Sequence, residues 1–181
     1  MKTWILTLWL IILSWNIHAQ INRVTIQASG LTCSLCSNAI NKALKTLDFV
    51  AEVEPNIEQS TFDISFKNSS AVNFDLLKKK VEGAGFFVAK MWVEMNIAET
   101  IVENDAHIEV HGMMMHFLNV GNKTLNGKII LRILDKGFVS SKEYKKNARF
   151  TRLDCYKTGM MGPCCKNRKG EEATRIYHVT I

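Results

Sequence analysis

The 181-residue chain is long enough for one ordinary domain or two small ones. Its 47% hydrophobic and 22% charged residues allow a packed core and exclude wholesale disorder, while only 2 prolines exclude collagen-like and Pro-rich architectures. The net charge of +6 comes with no basic run longer than Lys78-Lys79-Lys80, which argues against nucleic acid as a partner.

Lys2 precedes an apolar run from Ile5 to Trp15, and Asn16-Ile17-His18-Ala19 follows it. A charged start, a short apolar segment and a small residue describe an export signal, here residues 1–19 with cleavage after Ala19. The run is too short to cross a bilayer as a helix, which takes about 20 residues. No later stretch approaches that length, so the expected mature chain has no transmembrane segment and resides in a periplasmic or extracellular space. All 5 cysteines lie beyond the signal. An odd number in an oxidising compartment leaves at least one thiol without an intramolecular partner and directs attention to metal binding or redox chemistry.

Val24 to Ala28 alternates like a strand, and Ser29-Gly30-Leu31-Thr32 reads as a loop. From Ser34 to Leu47, Leu35, Ala39, Ile40, Ala43, Leu44 and Leu47 recur at helical spacing. Val50 to Glu54 is a strand stopped by Pro55, and Thr61 to Phe66 alternates with Phe62, Ile64 and Phe66 on one side. Asn73 caps a helix with Phe74, Leu77, Val81 and Ala84 on one face, and a strand opens at Phe86-Phe87-Val88. The order is βαββαβ, a ferredoxin-like arrangement expected to fill residues 20–95. The composition shifts after Glu99, with an excess of basic residues. Strand-like alternation at Ala106–Val110, Leu125–Leu134 and Thr174–Ile181, and one short helix within Ser140–Ala148, predict a β-rich second domain over residues 96–181, in the form of a small OB-type barrel. The fold class is therefore α+β.

The motif with most chemistry is Gly30-Leu31-Thr32-Cys33-Ser34-Leu35-Cys36. Cys33 falls in the loop and Cys36 in the first turn of the following helix, so both sulfurs can converge on one point. Unpaired backbone N–H groups and the positive end of the helix dipole favour thiolates there. Two thiolates suit Cu(I) or another soft, thiophilic ion and leave Zn(II) under-coordinated. A short disulfide and a redox-active dithiol stay open for the same pair.

The stretch from Arg23 to Lys90 resembles the heavy-metal-associated domain of small copper chaperones and of copper-transporting ATPase tails. That family's signature is Gly-Met-Thr-Cys-x-x-Cys after the first strand. The resemblance implies that Cys33 and Cys36 ligate the metal, that Thr32 orients the loop, and that the Gly85-Phe86 pair sets an aromatic ring beside it. Leu31 stands where the family usually has Met, and leucine is expected to fill that volume.

The second half carries two further clusters. His111-Gly112 reads as a two-residue hairpin turn that pairs Val110 with Met113, Glu109 with Met114, Ile108 with Met115 and His107 with His116. One face then carries Ile108, Val110, Met113, Met115 and Phe117 toward a core; the other carries His107, Glu109, Met114 and His116, either as a solvent-facing polar patch or as a copper site. Cys155, Cys164 and Cys165 bracket a Gly-rich loop and are read as a disulfide from Cys155 to one of the other two, as a second thiolate site helped by Met160 or Met161, or as an intermolecular disulfide or free thiol. Lys142, Lys145, Lys146, Arg149, Arg152, Lys166, Arg168 and Lys169 read as a solvated surface.

No Ser/His/Asp arrangement, paired carboxylates or phosphate-cradling loop points to a hydrolase or a kinase. The expected function is that of an exported, non-enzymatic Cu(I)-binding protein. It exchanges metal through thiolates with a donor or acceptor protein, a membrane metal transporter among them. A thiol–disulfide oxidoreductase using Cys33 and Cys36, and an adaptor with a degenerate metal domain, are the alternatives.

Overall fold

The computed structural model describes residues 21–31, 33–67, 71–163, 165 and 174–181. The export-signal region, Thr32, Cys164, Lys166, Arg168 and Lys169 lie outside the described residues.

The first half runs β1 (Ile21–Ser29), α1 (Ser34–Lys45), β2 (Val50–Asn56), β3 (Thr61–Phe66), α2 (Phe74–Gly83) and β4 (Phe87–Val102). These strands stand in the order β2-β3-β1-β4, all antiparallel, which is the ferredoxin-like order with β1 inside. Val24, Ile26 and Ala28 of β1, Phe62 and Ile64 of β3, and Met91 and Val93 of β4 alternate onto one face. Ile40 and Leu44 of α1 and Phe74, Leu77 and Val81 of α2 join them in one core. The Asn73 side chain accepts the Leu76 N–H at 3.0 Å, the expected cap.

Two local expectations need correction. Leu35 is 77% exposed and Ala39 is exposed too, so the buried stripe of α1 is Ser37, Ile40 and Leu44, with Leu47 buried just past its end. The helix begins by placing Cys33 and Cys36 at the surface, and that rotation turns Leu35 outward. Pro55 does not stop β2 but stands opposite Phe62 within it. The position is tolerated because β2 is an edge strand, where a missing N–H removes no interior ladder bond.

The second half contributes β5 (Ala106–Val110), β6 (Met113–Phe117), β7 (Lys123–Ile133), α3 (Ser141–Asn147), a 3-10 turn (Ala148–Phe150), α4 (Cys155–Thr158) and β8 (Ile176–Thr180). These strands do not form the expected OB-type barrel. They extend the first half's sheet to eight strands, β2-β3-β1-β4-β7-β8-β6-β5. The cause is the length of β4, 16 residues. It pairs with β1 from Phe87 to Met95 and with β7 from Trp92 to Val102, so the expected 95/96 boundary falls inside one strand.

The His111-Gly112 turn has positive φ at both residues, 53° and 74°, a type I′ geometry that matches the twist of the flanking strands. The β5–β6 register pairs Val110 with Met113 and His107 with His116. Met115 and Phe117 of β6, with Tyr177 and Val179 of β8, enter the main core beside α2. The other face of β6 and β8 is covered as well: Met114 and Ile176 pack with Cys155, Cys165, Leu153 and Met161.

A polar clamp joins α2 to the second half. Arg175 Nε donates to Asp75 Oδ2 at 2.9 Å and the Tyr177 hydroxyl donates to the same oxygen at 3.0 Å. Arg175 also reaches Asp135 at 3.1 Å, and the Phe74 and Tyr177 rings meet edge-on at 5.0 Å. Burial pushes the Asp75 carboxyl up, but the hydrogen bonds and charge of Arg175, with the Tyr177 hydroxyl, outweigh it and hold it below the usual carboxylate range. A carboxyl depressed on folding contributes stability above its unfolded value, near 3.9, and loses it as pH falls through the folded value. Asp75→Asn should therefore cost about 1–3 kcal/mol at neutral pH. Below about pH 4 the gap to wild type should shrink. Urea unfolding of both proteins across that range checks it; a constant gap at all pH values refutes the clamp's charge dependence.

Candidate metal centre

Gly30 ends β1 with φ of 84°, and a Cβ there would stand 4.0 Å from the Phe86 ring, so the aromatic does lie beside the loop. Leu31 is partly buried against the main core and lines a cleft shared with Cys33. Cys33 has extended backbone and is the N-cap of α1; its sulfur accepts the Cys36 N–H at 3.4 Å. Cys33 is exposed and Cys36 half-buried, and their sulfurs are 2.9 Å apart, an S–H···S contact in which either atom can donate.

The electrostatics favour a thiolate at Cys33. The contact from Cys36 Sγ, then the Cys36 N–H, hold its pKa below the ordinary thiol value; slight burial opposes them and the Leu35 N–H assists. The first turn of α1 carries no acidic residue, so nothing there opposes the positive end of the dipole. Leu35 lies between the cysteines, Ile57 (60% exposed) lines a cleft of about 140 Å³ with Leu31, Cys33 and Ser37, and Phe87 (70% exposed) stands opposite Ser29.

The other sequence candidates are rearranged. His107 and His116 face one another across β5 and β6, their ring centroids 4.3 Å apart. His116 is fully buried, so the solvent-facing patch weighed for this face is not what forms: the segment carrying α4 lies over it. That segment brings Cys155 Sγ to 3.6 Å from His107 Nε2 and 3.7 Å from His116 Nδ1. Met114 packs against Cys155, and Cys165 is buried in the same cluster. Burial, then the His107 and His178 imidazoles, push the His116 pKa down to about 4 against the pull of Asp105. His116 is thus neutral at neutral pH, and its 2.8 Å contact with Asp105 is an Nε2–H donation rather than an ion pair. His107 is lowered as well, by burial and then by His178. The exposed Lys142, Lys145, Lys146, Arg149 and Arg152 form a solvated surface.

Three residues at this second cluster escaped the sequence reading: Asp105, Asp135 and His178. His178 is fully buried next to His116 because β8 pairs in parallel with β6, residue 178 opposite 116. Its Nδ1 donates to Asp135 at 2.9 Å, while its buried Nε2 has no partner. Parallel pairing of segments this far apart leaves no periodicity to read, although the alternating run at the chain's end held a histidine in view. For the first site, the lowered thiol makes a direct expectation. Cys33 should be alkylated by iodoacetamide faster than Cys36 and should stay reactive at pH values where ordinary thiols are protonated; mass-spectrometric mapping showing equal rates at both residues would contradict it.

Residues 25–87 match the family model for the heavy-metal-associated domain. The chain is 32% identical over 63 residues to a copper chaperone, CopZ, of Staphylococcus epidermidis, a match covering 35% of this chain and 91% of that protein. It is 31% identical over 64 residues to a probable copper-exporting P-type ATPase of Archaeoglobus fulgidus, covering 35% of this chain and only 8% of the ATPase. A solved structure of a CopZ metallochaperone aligns over 38% of this chain and all of its own at 24% identity, with a TM-score of 0.35. Through residues 25–87 the chain belongs to the heavy-metal-associated domain family.

Proposed function

We propose that the chain binds Cu(I) through Cys33 and Cys36 and passes it on by thiolate exchange. The observation that carries this reading is the pair of accessible sulfurs at the N-terminus of α1, one with a lowered pKa and neither opposed by an acidic residue in the first turn. Soft, low-coordinate Cu(I) suits two thiolates, and an open site lets a third ligand enter before the first leaves. The partner is a metal donor or acceptor protein with thiolates of its own, a membrane metal transporter being the type that the ATPase relative supports. Leu35, Ile57 and Phe87 supply an apolar rim against which such a partner can dock. Export through residues 1–19 belongs to the same reading; among the described residues no helix is long and apolar enough to cross a membrane. The 2.9 Å sulfur contact favours a second reading, a thiol–disulfide oxidoreductase using the same pair.

An anaerobic Cu(I) titration of residues 20–181 against a competing chelator separates them, with Cys33→Ser/Cys36→Ser beside the wild type. The variant should lose one tight equivalent. If the two proteins compete equally poorly, and the wild type alone reduces a disulfide substrate, the redox reading replaces the copper one.

A further inference from the structure

Three strands of the second half align three histidines in a row: His107 on β5, His116 on β6 and His178 on β8. Cys155 is brought over the first two by the chain segment that covers this face. We propose that His107, His116 and Cys155 form a second, buried Cu(I) site, separate from the cysteine pair of the first half.

The distances fit an ion at the centre of the three donors. Ligands about 2.0–2.3 Å from a metal and spread around it in one plane stand about 3.5–4 Å apart. The sulfur lies 3.6 and 3.7 Å from the two nitrogens, and all three donor atoms fall within 4.8 Å of one another. His116 gives its Nε2–H to Asp105, which leaves the Nδ1 lone pair facing the sulfur, the orientation a metal-ligating imidazole needs.

The donor set and the surroundings choose the metal. Cu(I) is satisfied by three ligands, and a thiolate with two imidazoles matches its softness. Its single charge is cancelled by the Cys155 thiolate, so a neutral unit is buried; Zn(II) would need a fourth ligand and would bring a second charge into a site where Asp105, the carboxylate bonded to His116, is partly exposed. The His116–Asp105 hydrogen bond is the kind of outer contact that fixes a metal-binding imidazole's orientation and tautomer. Met114 and Met161, packed in the Cys155 cluster, place thioether side chains beside it.

The experiment removes the first site, so that its outcome is independent of the Cys33/Cys36 reading. Protein carrying Cys33→Ser/Cys36→Ser is titrated anaerobically with Cu(I) against a chelator, alone and with His107→Gln, Cys155→Ser or Asp105→Asn added. One equivalent should remain in the double variant. His107→Gln or Cys155→Ser should weaken it by more than about 100-fold, and Asp105→Asn, at a positive-φ position that asparagine tolerates, by about 10–100-fold. X-ray absorption of the loaded double variant should show mixed nitrogen and sulfur ligation. His107 is only half-buried, so His107→Gln should retain the wild-type circular dichroism and decides the matter if Cys155→Ser does not fold. Absence of the equivalent, its indifference to His107→Gln, its loading by Zn(II) but not Cu(I), or an all-sulfur shell would each overturn the proposal.

Discussion

Every part of the molecule rests on β4. Its first residues pair with β1 inside the ferredoxin-like half, and the remainder pairs with β7. Met91, Val93, Met95 and Ile97 keep one face of that strand buried across the whole transition. Two regions that would otherwise be beads on a linker therefore share a sheet and a core, and any displacement of one must bend the other. The clamp from Asp75 to Arg175 and Tyr177 adds a second tie, from the helix layer.

That shared frame places the two sulfur-containing clusters in different physical settings. Cys33 and Cys36 sit at a surface loop, where incoming ligands have access and a helix terminus favours negative charge. Cys155 is carried on the covering segment and buried among imidazoles, where burial disfavours charge and neutral donors prevail. Openness suits rapid exchange at the first; enclosure suits retention at the second.

The first half was legible because its signals are local. A cap residue, Asn73, and alternation at Thr61–Phe66 each act within a few residues, and the motif from Gly30 to Cys36 is contiguous. The hairpin at His111-Gly112 was legible for the same reason, down to the pairing of His107 with His116. The path of the second half was not, because nothing short-range records that β8 slips between β7 and β6 or that β4 continues past residue 95. The candidate residues were accordingly sorted by sequence neighbourhood, histidines with methionine and cysteines with cysteines, whereas the fold sorts them by which segment covers which strand. The burial of His116 follows from that cover alone.

The strand order also has a temporal side. β5 and β6 close on one another through a two-residue turn and can pair as soon as both exist, but β6 reaches β7 only through β8. The hairpin can therefore close on local contacts alone, while its seating in the sheet requires β8. Parallel pairing over so long a separation closes a large loop, so that seating is expected to be the slower event at this end of the sheet. Until β8 is seated, the first cysteine pair can already be built while the histidine row is still one residue short.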